Sequence, residues 1–413
     1  MSDRNAENGR PAEEILAELD ALKARDVDWR AGRAFSLVYH AGDDVYELAQ
    51  KANAKFLSTN ALNTAAFPSL GKLQRDVVET IARLLHGGTE AAGFMTSGGT
   101  ESLLMAVKAA RERGRERGVS APEMVLPSTA HAAFEKGASY FGVRSVRVPV
   151  CDDFRADAGD MAAAMTPDTM LLVASAPGYP QGMIDPVADI AALANEHDIN
   201  CHVDACMGGI TLPMLERLGY AIPPFDFRVP GVTSISVDLH KYGYAAKGAS
   251  VIVHRNKELR RHQTFVTDNW LGGLYGSSGI LGTKGGGPIA AAWAVMQYLG
   301  EEGYLRLTRA AKEAAERLIA GLRDTPGVTV LGDPPATLVA FGFRDADAFA
   351  VGDALGRRGW YVDQQKPPPS LHCTVTASHG PMIAPFLAAL REALDEVRGA
   401  GMTAAQKAYG SLE

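Results

Sequence analysis

Apolar and polar positions follow two different periods between residues 60 and 300. Short runs rich in valine, isoleucine and leucine are typical of buried strands. They alternate with stretches in which apolar residues recur at helical spacing. The strand-like runs are residues 124–128, 145–150, 170–176, 199–205, 234–237 and 250–254. The helical stretches between them include residues 101–112, 158–165 and 187–197. This alternation predicts an α/β fold with a mostly parallel sheet and helices on both faces.

The N-terminal segment, residues 1–59, is expected to precede the sheet domain and to contribute to the substrate site. Its first eleven residues are polar and predict a disordered tail. Residues 12–25 then place four large apolar side chains on one helical face, with acidic residues early and basic residues late, which predicts an amphipathic helix. These side chains are Ile15, Leu16, Leu19 and Leu22. The large domain is assigned to residues 60–305.

The C-terminal part, residues 306–413, has a different pattern. A long helical stretch, residues 287–323, leads into shorter alternating segments. Apolar runs predict strands at 328–332, 337–343 and 372–377, and helical spacing predicts helices near 345–358 and 381–398. The combination predicts a small α+β domain at this end of the chain.

The composition narrows the class of protein. The 413 residues carry 41 basic and 48 acidic side chains, a formal net charge of −7. A nucleic-acid-binding protein needs a basic face, so this balance argues against one. No apolar run reaches the roughly 18 residues of a membrane-spanning helix, and the polar N-terminus lacks the core of a signal peptide. The four cysteines and ten histidines show no disulfide framework and no zinc spacing. We expect a soluble, cytoplasmic protein with no membrane anchor and no catalytic metal.

Two candidate binding elements stand near the start of the large domain. The stretch Thr96-Ser97-Gly98-Gly99-Thr100 directly precedes a helical run, where free backbone N–H groups and the helix dipole attract an anion. A glycine turn with an ordinary N-cap is the alternative. His131 follows the strand-like run 124–128, and it is either a structural or solvated histidine or a flat ring stacked on an aromatic ligand.

Two charged residues follow later strands. Asp204 ends a buried-looking run, where a carboxylate needs a partner: a structural cation or the protonated ring nitrogen of a cofactor. Lys241 follows the run 234–237, and it is either a surface cation or an amine that forms a Schiff base with a carbonyl. All four elements, in this order, fit pyridoxal phosphate. The glycine loop would hold its phosphate, His131 one ring face, Asp204 the ring nitrogen and Lys241 the aldehyde.

The stretches that carry these elements, residues 94–102, 128–143, 184–209 and 234–250, resemble the sphingosine-1-phosphate lyases. These enzymes form part of the decarboxylase-like branch of fold-type I pyridoxal phosphate enzymes, and the similarity extends from residue 26 to residue 375. It implies an aspartate aminotransferase-like large domain with a small C-terminal domain. It also implies a homodimer with shared active sites and a phosphorylated sphingoid base as substrate.

The resemblance also implies roles for single residues. Lys241 would carry the Schiff base, Asp204 would hold the ring nitrogen and His131 would stack on the ring. The cofactor phosphate would be bound by Gly99, Thr100 and His240, and by the loop around Thr283 from the neighbouring subunit. Asp238, in the same motif as Lys241, is assigned to the cofactor site. On the substrate side the corresponding residues are Tyr39, Asn60, Asn63 and Lys247.

Two positions depart from the family pattern. The chain has Asn60-Ala61-Leu62-Asn63 where the family usually has Asn-Pro-Leu-His, so a neutral amide replaces an imidazole near the substrate phosphate. Ala246 stands where relatives commonly have proline.

The expected reaction is a retro-aldol cleavage of the C2–C3 bond of a long-chain base 1-phosphate, with Lys241, Tyr39 or a phosphate oxygen as the base. Two alternatives remain open: an amino-acid decarboxylase of the same branch, acting on tyrosine, aspartate or glutamate, and a cofactor-binding relative without activity.

Overall fold

The computed structural model describes residues 9–410. Its centre is a seven-stranded sheet with the strand order β1-β7-β6-β5-β4-β2-β3. These strands are β1 Ala92–Thr96, β2 Glu123–Pro127, β3 Arg144–Val148, β4 Thr169–Ser175, β5 Asn200–Asp204, β6 Ser234–Val237 and β7 Ser250–His254. Strand β7 pairs antiparallel with both β1 and β6, and the pairs among the other strands are parallel. The α/β fold with a mostly parallel sheet is therefore confirmed.

Helices precede, connect and follow the strands of this sheet. They are α1 Ala12–Lys23, α2 Asp43–Lys55, α3 Pro68–Leu84, α4 Gly99–Glu116, α5 Ala133–Phe141, α6 Ala158–Ala163, α7 Val187–Glu196, α8 Gly208–Arg217, α9 Lys257–Arg261 and α10 Gly287–Arg323. A hairpin of β8 Phe265–Thr267 and β9 Tyr275–Ser277 lies between α9 and α10. The largest core cluster packs the sheet against several of these helices, so the strands are buried as a parallel sheet requires.

The C-terminal part forms a second, antiparallel sheet with the order β10-β11-β13-β12. Its elements are β10 Val328–Val330, β11 Leu338–Phe343, α11 Ala348–Arg357, β12 Asp363–Gln365, β13 Ser370–Thr374, a 3₁₀ helix Ala377–Met382 and α12 Ile383–Ala400. A separate core cluster joins this sheet to α11, α12 and the end of α10. The α+β character predicted for this part is what the structure has.

The limits of the three predicted parts, at residues 59/60 and 305/306, stay a prediction. At the second limit the structure has a continuous stretch of helix. Helix α10 runs through the expected boundary at residues 305 and 306, with a break in helical geometry at Gly300 (φ 55°). Leu307 belongs to the core of the large sheet and Ala314 to the core of the small one, so a single helix spans both cores.

Helix α1 forms as the sequence predicts, but its apolar face packs against nothing in the described chain. Its four large side chains are between 41% and 60% exposed. The predicted disordered tail lies mostly outside the described residues.

The six strands predicted for the large sheet agree with the structure within one or two residues, and the three predicted for the small sheet agree within three. Strands β1, β8, β9 and β12 were not predicted. Strand β1 contains Gly93, where an added Cβ would lie 2.7 Å from the carbonyl oxygen of Ile252. The close approach of β7 requires a glycine there, and that glycine interrupts the apolar run that would reveal a strand. Strand β12 is three residues long and polar, so neither of its features predicts a strand.

Candidate active site

A cavity of about 680 Å³ lies at the carboxyl ends of β4, β5 and β6. The strands contribute Ser175 and Asp204, and Asp238 follows directly after β6. In sheets of this kind the strand ends leave such a crevice, because the connecting loops diverge there. Thr374, from the end of β13, and Tyr39, from the N-terminal segment, close it from the other side. Three parts of the chain therefore build one site.

The glycine loop of this cavity is the start of α4. Gly98 is the N-cap and has no side chain to cap the helix, so the helix presents bare backbone to the cavity. An added Cβ on Gly99 would lie 2.7 Å from Asp238 Oδ2 and 3.0 Å from Cys206 Sγ. One side of the loop is thus packed tightly against Asp238 and Cys206, and the other side faces the cavity. This is the geometry that an anion at a helix N-terminus requires.

Asp204 lies at the end of β5, and both donors that it receives bind the same oxygen. The backbone N–H of Cys206 donates to Oδ1 over 3.0 Å, and the hydroxyl of Ser236 donates to it over 3.4 Å. Within residues 9–410, Oδ2 has no hydrogen-bond partner. Because Asp204 lines the cavity, this second oxygen is available to a donor on a ligand.

Lys241 forms an ion pair below the glycine loop. Its Nζ lies 2.9 Å from Oδ2 of Asp238, whose side chain is only 1% exposed. Burial lowers the pKa of Lys241, but the Asp238 carboxylate, with Tyr39 and Cys206, outweighs it and the pKa lies well above its usual value. Oδ1 of Asp238 is buried and has no partner among the described residues. The lysine is therefore held as an ammonium until a carbonyl compound takes the amine.

The two histidines of the cavity are neutral. Burial lowers the pKa of His131, and it lowers that of His240 to about 4. His131 Nδ1 accepts the N–H of Ala133, and His240 Nδ1 accepts that of Ala249, so each ring is fixed in its orientation. An added Cβ on Gly98 would lie 3.4 Å from Cε1 of His240. His131 can thus offer a neutral ring face, and His240 lies against the glycine loop.

Lys247 and Tyr39 lie side by side in the lining of the cavity. Lys247 Nζ donates to the carbonyl oxygen of Leu37 over 2.7 Å and lies 5.0 Å from the centre of the Tyr39 ring. Burial, and after it the charge of Lys241, lower the pKa of Lys247 to about 8. Burial also raises the pKa of the Tyr39 phenol, which donates to Met207 Sδ over 3.6 Å. Tyr39 is therefore a hydrogen-bond donor here and a poor base.

Three predicted residues lie outside this cavity but close to one another. Asn60 donates from Nδ2 to Oγ1 of Thr283 over 3.4 Å, and its Oδ1 accepts the backbone N–H of Lys284 over 3.3 Å. Asn63 uses its Oδ1 to accept the N–H of Ala65 over 2.9 Å. None of the three lines the cavity of its own chain.

Three tyrosines that line the cavity were not predicted: Tyr140, Tyr179 and Tyr409. Tyr179 donates its hydroxyl to Oδ2 of Asp363 in the small sheet. Tyr409 lies after the last helix, where Lys407 anchors the tail through an ion pair with Asp353 of 2.6 Å. Its ring lies 6.2 Å from His131 and 5.8 Å from Tyr179, measured between ring centres. A tyrosine in a short polar tail carries no sequence signal for a site, because its position depends on where the tail is anchored.

The residues of the cavity fit pyridoxal phosphate. A bare helix N-terminus, a neutral imidazole face, a carboxylate oxygen without a partner and a half-buried amine meet in one space of sufficient volume. By contrast, residues 9–410 contain no group of three or more His, Cys, Asp or Glu that could hold a metal ion. The same described part has no helix that is both long and apolar enough to span a membrane.

Comparison with known proteins agrees with this cofactor. The conserved domain of pyridoxal-dependent decarboxylases matches residues 4–344. The sphingosine-1-phosphate lyase of Oryza sativa is 42% identical over 93% of this chain and 73% of its own length. The solved sphingosine-1-phosphate lyase of Burkholderia pseudomallei is 39% identical, with a TM-score of 0.92 over 97% of this chain and 94% of that one.

A more distant structure, the glutamate decarboxylase of Lactobacillus brevis, has a TM-score of 0.84 at 20% identity over 96% of this chain and 95% of that one, which shows the shared fold alone. The match over most of the chain, the level of identity and the set of residues in the cavity lead to one assignment. The chain belongs to the pyridoxal-dependent decarboxylase family, in its group of sphingosine-1-phosphate lyases, and its cofactor is pyridoxal phosphate.

Proposed function

We propose that this protein cleaves the C2–C3 bond of a long-chain base 1-phosphate and releases a long-chain aldehyde and phosphoethanolamine. The observation that carries this proposal is the position of Lys247, a cation that lines the cavity and whose Nζ donates to the carbonyl oxygens of Leu37 and His240. A phosphorylated amine needs such a cation, whereas an amino acid offers no phosphate for it. The family membership supports the same reaction.

When bound, pyridoxal phosphate supplies the electron sink that makes cleavage beside an amine possible. The residues of the chain bind and orient it. Asp204 would keep a proton on the ring nitrogen, and Lys241 would provide the amine that holds the aldehyde. Gly99 and Thr100, at the start of α4, would bind the phosphate with His240 beside them, and His131 would cover one face of the ring; all of these residues line the cavity.

Turnover of purified protein with sphingosine 1-phosphate tests the reaction directly. Release of both the aldehyde and phosphoethanolamine is the expected result. Carbon dioxide release from tyrosine, aspartate or glutamate without cleavage of the phosphorylated substrate would instead support the decarboxylase alternative. No feature of the cavity favours the decarboxylase alternative. The similarity to the solved glutamate decarboxylase, at 20% identity, shows the fold alone. A bound cofactor with neither reaction would indicate the inactive relative.

Lys247 gives the reaction an expected pH dependence. The pKa of this lysine is about 8 in the free protein, so below pH 8 it is an ammonium that attracts the substrate phosphate, and above pH 8 it becomes neutral. We expect kcat/KM for sphingosine 1-phosphate to fall as the pH rises through about 8, because kcat/KM reports the groups of the free enzyme.

The Lys247→Arg variant should lose this alkaline decline, since a guanidinium stays charged. The Lys247→Ala variant should lose about tenfold to a hundredfold in kcat/KM at pH 7, the size of one charged hydrogen bond. A decline that persists unchanged in the arginine variant would show that another group causes it. The visible spectrum of the bound cofactor is the control for an intact site in both variants.

We also propose that the active protein is a homodimer with shared active sites. Several apolar surfaces of the single chain support this: the exposed face of α1, and the β8–β9 connection, where Leu271 and Leu274 are 109% and 78% exposed. Asn60 and Thr283 lie together outside the cavity of their own chain, where they are available to a neighbouring one. Light scattering should give twice the mass of the chain.

Mixing two inactive variants tests whether the sites are shared. Lys241→Ala removes the amine of its own site, and Thr283→Asp places a negative charge beside the cofactor phosphate of the neighbouring site. A mixed dimer would contain one intact site, so random pairing should restore about a quarter of the wild-type activity. No recovery, in a mixture whose subunits are shown to exchange by co-purification of a tag, would contradict shared sites.

A cytoplasmic location stays a prediction of the sequence. Fractionation of cells that express the protein would test it.

A further inference from the structure

A buried hydrogen-bond chain lies beneath Asp204, on the side away from the cavity. His202, which is fully buried in β5, contacts two serines of the neighbouring strand β6. Its Nδ1 lies 2.8 Å from Oγ of Ser234, and its Nε2 lies 3.2 Å from Oγ of Ser236. Ser236 is also 3.3 Å from Sγ of Cys206 and 3.4 Å from Oδ1 of Asp204.

The donors and acceptors of this chain can be assigned in one consistent way. A serine hydroxyl has one proton and accepts two hydrogen bonds. Oγ of Ser236 faces three partners: the ring of His202, the thiol of Cys206 and the carboxylate of Asp204. A carboxylate can only accept, so the hydroxyl proton points to Asp204, and the imidazole and the thiol both donate to the serine oxygen. Nδ1 of His202 then accepts the hydroxyl proton of Ser234.

The imidazole itself is neutral, because burial lowers the pKa of His202 to about 4. The neutral ring has one N–H, and the assignment above places that hydrogen on Nε2. Each polar atom of the chain therefore has a defined role, and the direction of donation runs from Ser234 through His202 and Ser236 to Oδ1 of Asp204.

We infer that Ser236 and His202 are positioning residues that keep the Asp204 carboxylate ionised and direct its free oxygen to the ring nitrogen of the cofactor. This inference rests on the role of Asp204 in the proposed function. In a buried site, an ionic pair of carboxylate and protonated ring nitrogen competes with a neutral pair, in which the proton has moved to the carboxylate. Donors to Oδ1 stabilise the ionic pair because they bind the charged form of the acid more strongly.

The hydrogen bonds also fix the side chain. With Oδ1 held by the N–H of Cys206 and the hydroxyl of Ser236, rotation of the carboxylate would break two contacts, so Oδ2 remains on the cavity side. A Ser236→Ala variant retains the Cys206 contact and loses the serine contact. We expect the equilibrium between ionic and neutral pairs to shift about tenfold towards the neutral pair, the size of one weak hydrogen bond to a charged group.

The experiment is nitrogen-15 NMR of holoenzyme that carries pyridoxal phosphate labelled at the ring nitrogen, whose chemical shift reports its protonation. Wild-type protein should give the protonated signal. Ser236→Ala should move it towards the unprotonated position, and Ser236→Cys, which keeps a weak donor, should move it less. Thr211→Val is the matched control, because Thr211 is a buried hydroxyl in α8 that contacts Met207 O and not Asp204.

A protonated wild-type-like signal in folded Ser236→Ala would overturn the inference. If the alanine variant cannot be isolated in folded form, the cysteine variant decides in the same way. A parallel measurement on the Asp204→Asn variant distinguishes failure of the inference about Ser236 from failure of the proposed cofactor site. An unchanged nitrogen signal in that variant would mean that Asp204 does not contact the ring at all. A changed signal there with none in the Ser236 variants would leave the proposed site intact and reject the role of the serine.

Discussion

Replacing Lys241 by alanine is expected to abolish turnover, with a loss of at least about four orders of magnitude, and to remove the visible absorbance band of the bound cofactor. The reason is chemical. In the proposed function Lys241 supplies the amine that holds the aldehyde, and the nearby Lys247 already donates to the carbonyl oxygen of Leu37 on the rim of the cavity. Reduction of the wild-type holoenzyme with borohydride, followed by peptide mass analysis, should place the cofactor on Lys241.

The same variant should also lose stability. The Asp238 carboxylate is buried, and alanine would leave it without the ammonium, with only the neutral ring of His240 nearby, whose Nε2 is 3.8 Å away. Loss of one partner from a buried ion pair costs about 3 kcal/mol in the free energy of unfolding. Lys241→Arg is the matched control, because a guanidinium retains the charge and cannot form the covalent link. Turnover in either variant would contradict the assignment of Lys241.

The second large effect is expected for Asp204→Asn. The amide has nearly the same shape and can still accept the N–H of Cys206 and the hydroxyl of Ser236, so the fold should be preserved. A neutral amide, however, does not hold a proton on the ring nitrogen, and the cofactor loses much of its capacity as an electron sink. We expect kcat to fall on the order of a thousandfold, comparable to the loss of a key electrostatic contact in other active sites.

Asp185→Asn provides the comparison for this prediction. Asp185 is also a buried carboxylate near β4, but it accepts the backbone N–H groups of Ala156 and Ser175 and lies outside the cavity lining. Its replacement should change the midpoint of thermal unfolding and leave the cofactor spectrum in place. If the two variants lost activity equally with intact folds, Asp204 would have no special role at the ring.

Much of the site could be predicted because its residues belong to local patterns. Asp204 and Lys241 follow β-branched runs, and polar residues at the ends of such runs meet at one edge of a parallel sheet. Gly98 and Gly99 precede a helical stretch, which marks a helix N-terminus. These features depend on neighbours in the sequence, so the predicted strand ends and the predicted helix start at the glycine loop agree with the structure.

Contacts between distant segments could not be predicted in this way. The sequence gives no sign of the hydrogen-bond chain that runs from His202 through Ser236 to Asp204. This hydrogen-bond chain depends on the pairing of two strands whose residues are more than thirty positions apart. The same holds for Tyr179, which is held by Asp363, and for Tyr409, whose tail is anchored by Lys407. The hydrogen-bond chain results from strand pairing within the large sheet, the position of Tyr179 from its contact with the small sheet, and that of Tyr409 from the attachment of its tail to α11.

By itself, the sequence determined the α/β class, the order of the strands along the chain and the residue types that suit pyridoxal phosphate, since hydrophobic period and turn chemistry are local properties. The tertiary structure decided which polar groups became buried together. That is why Lys241 is an ammonium paired with Asp238, why Lys247 has a lowered pKa, and why Asp204 has one oxygen held and one free. Charge states depend on burial and on neighbours in space, and only the folded chain brings those neighbours together.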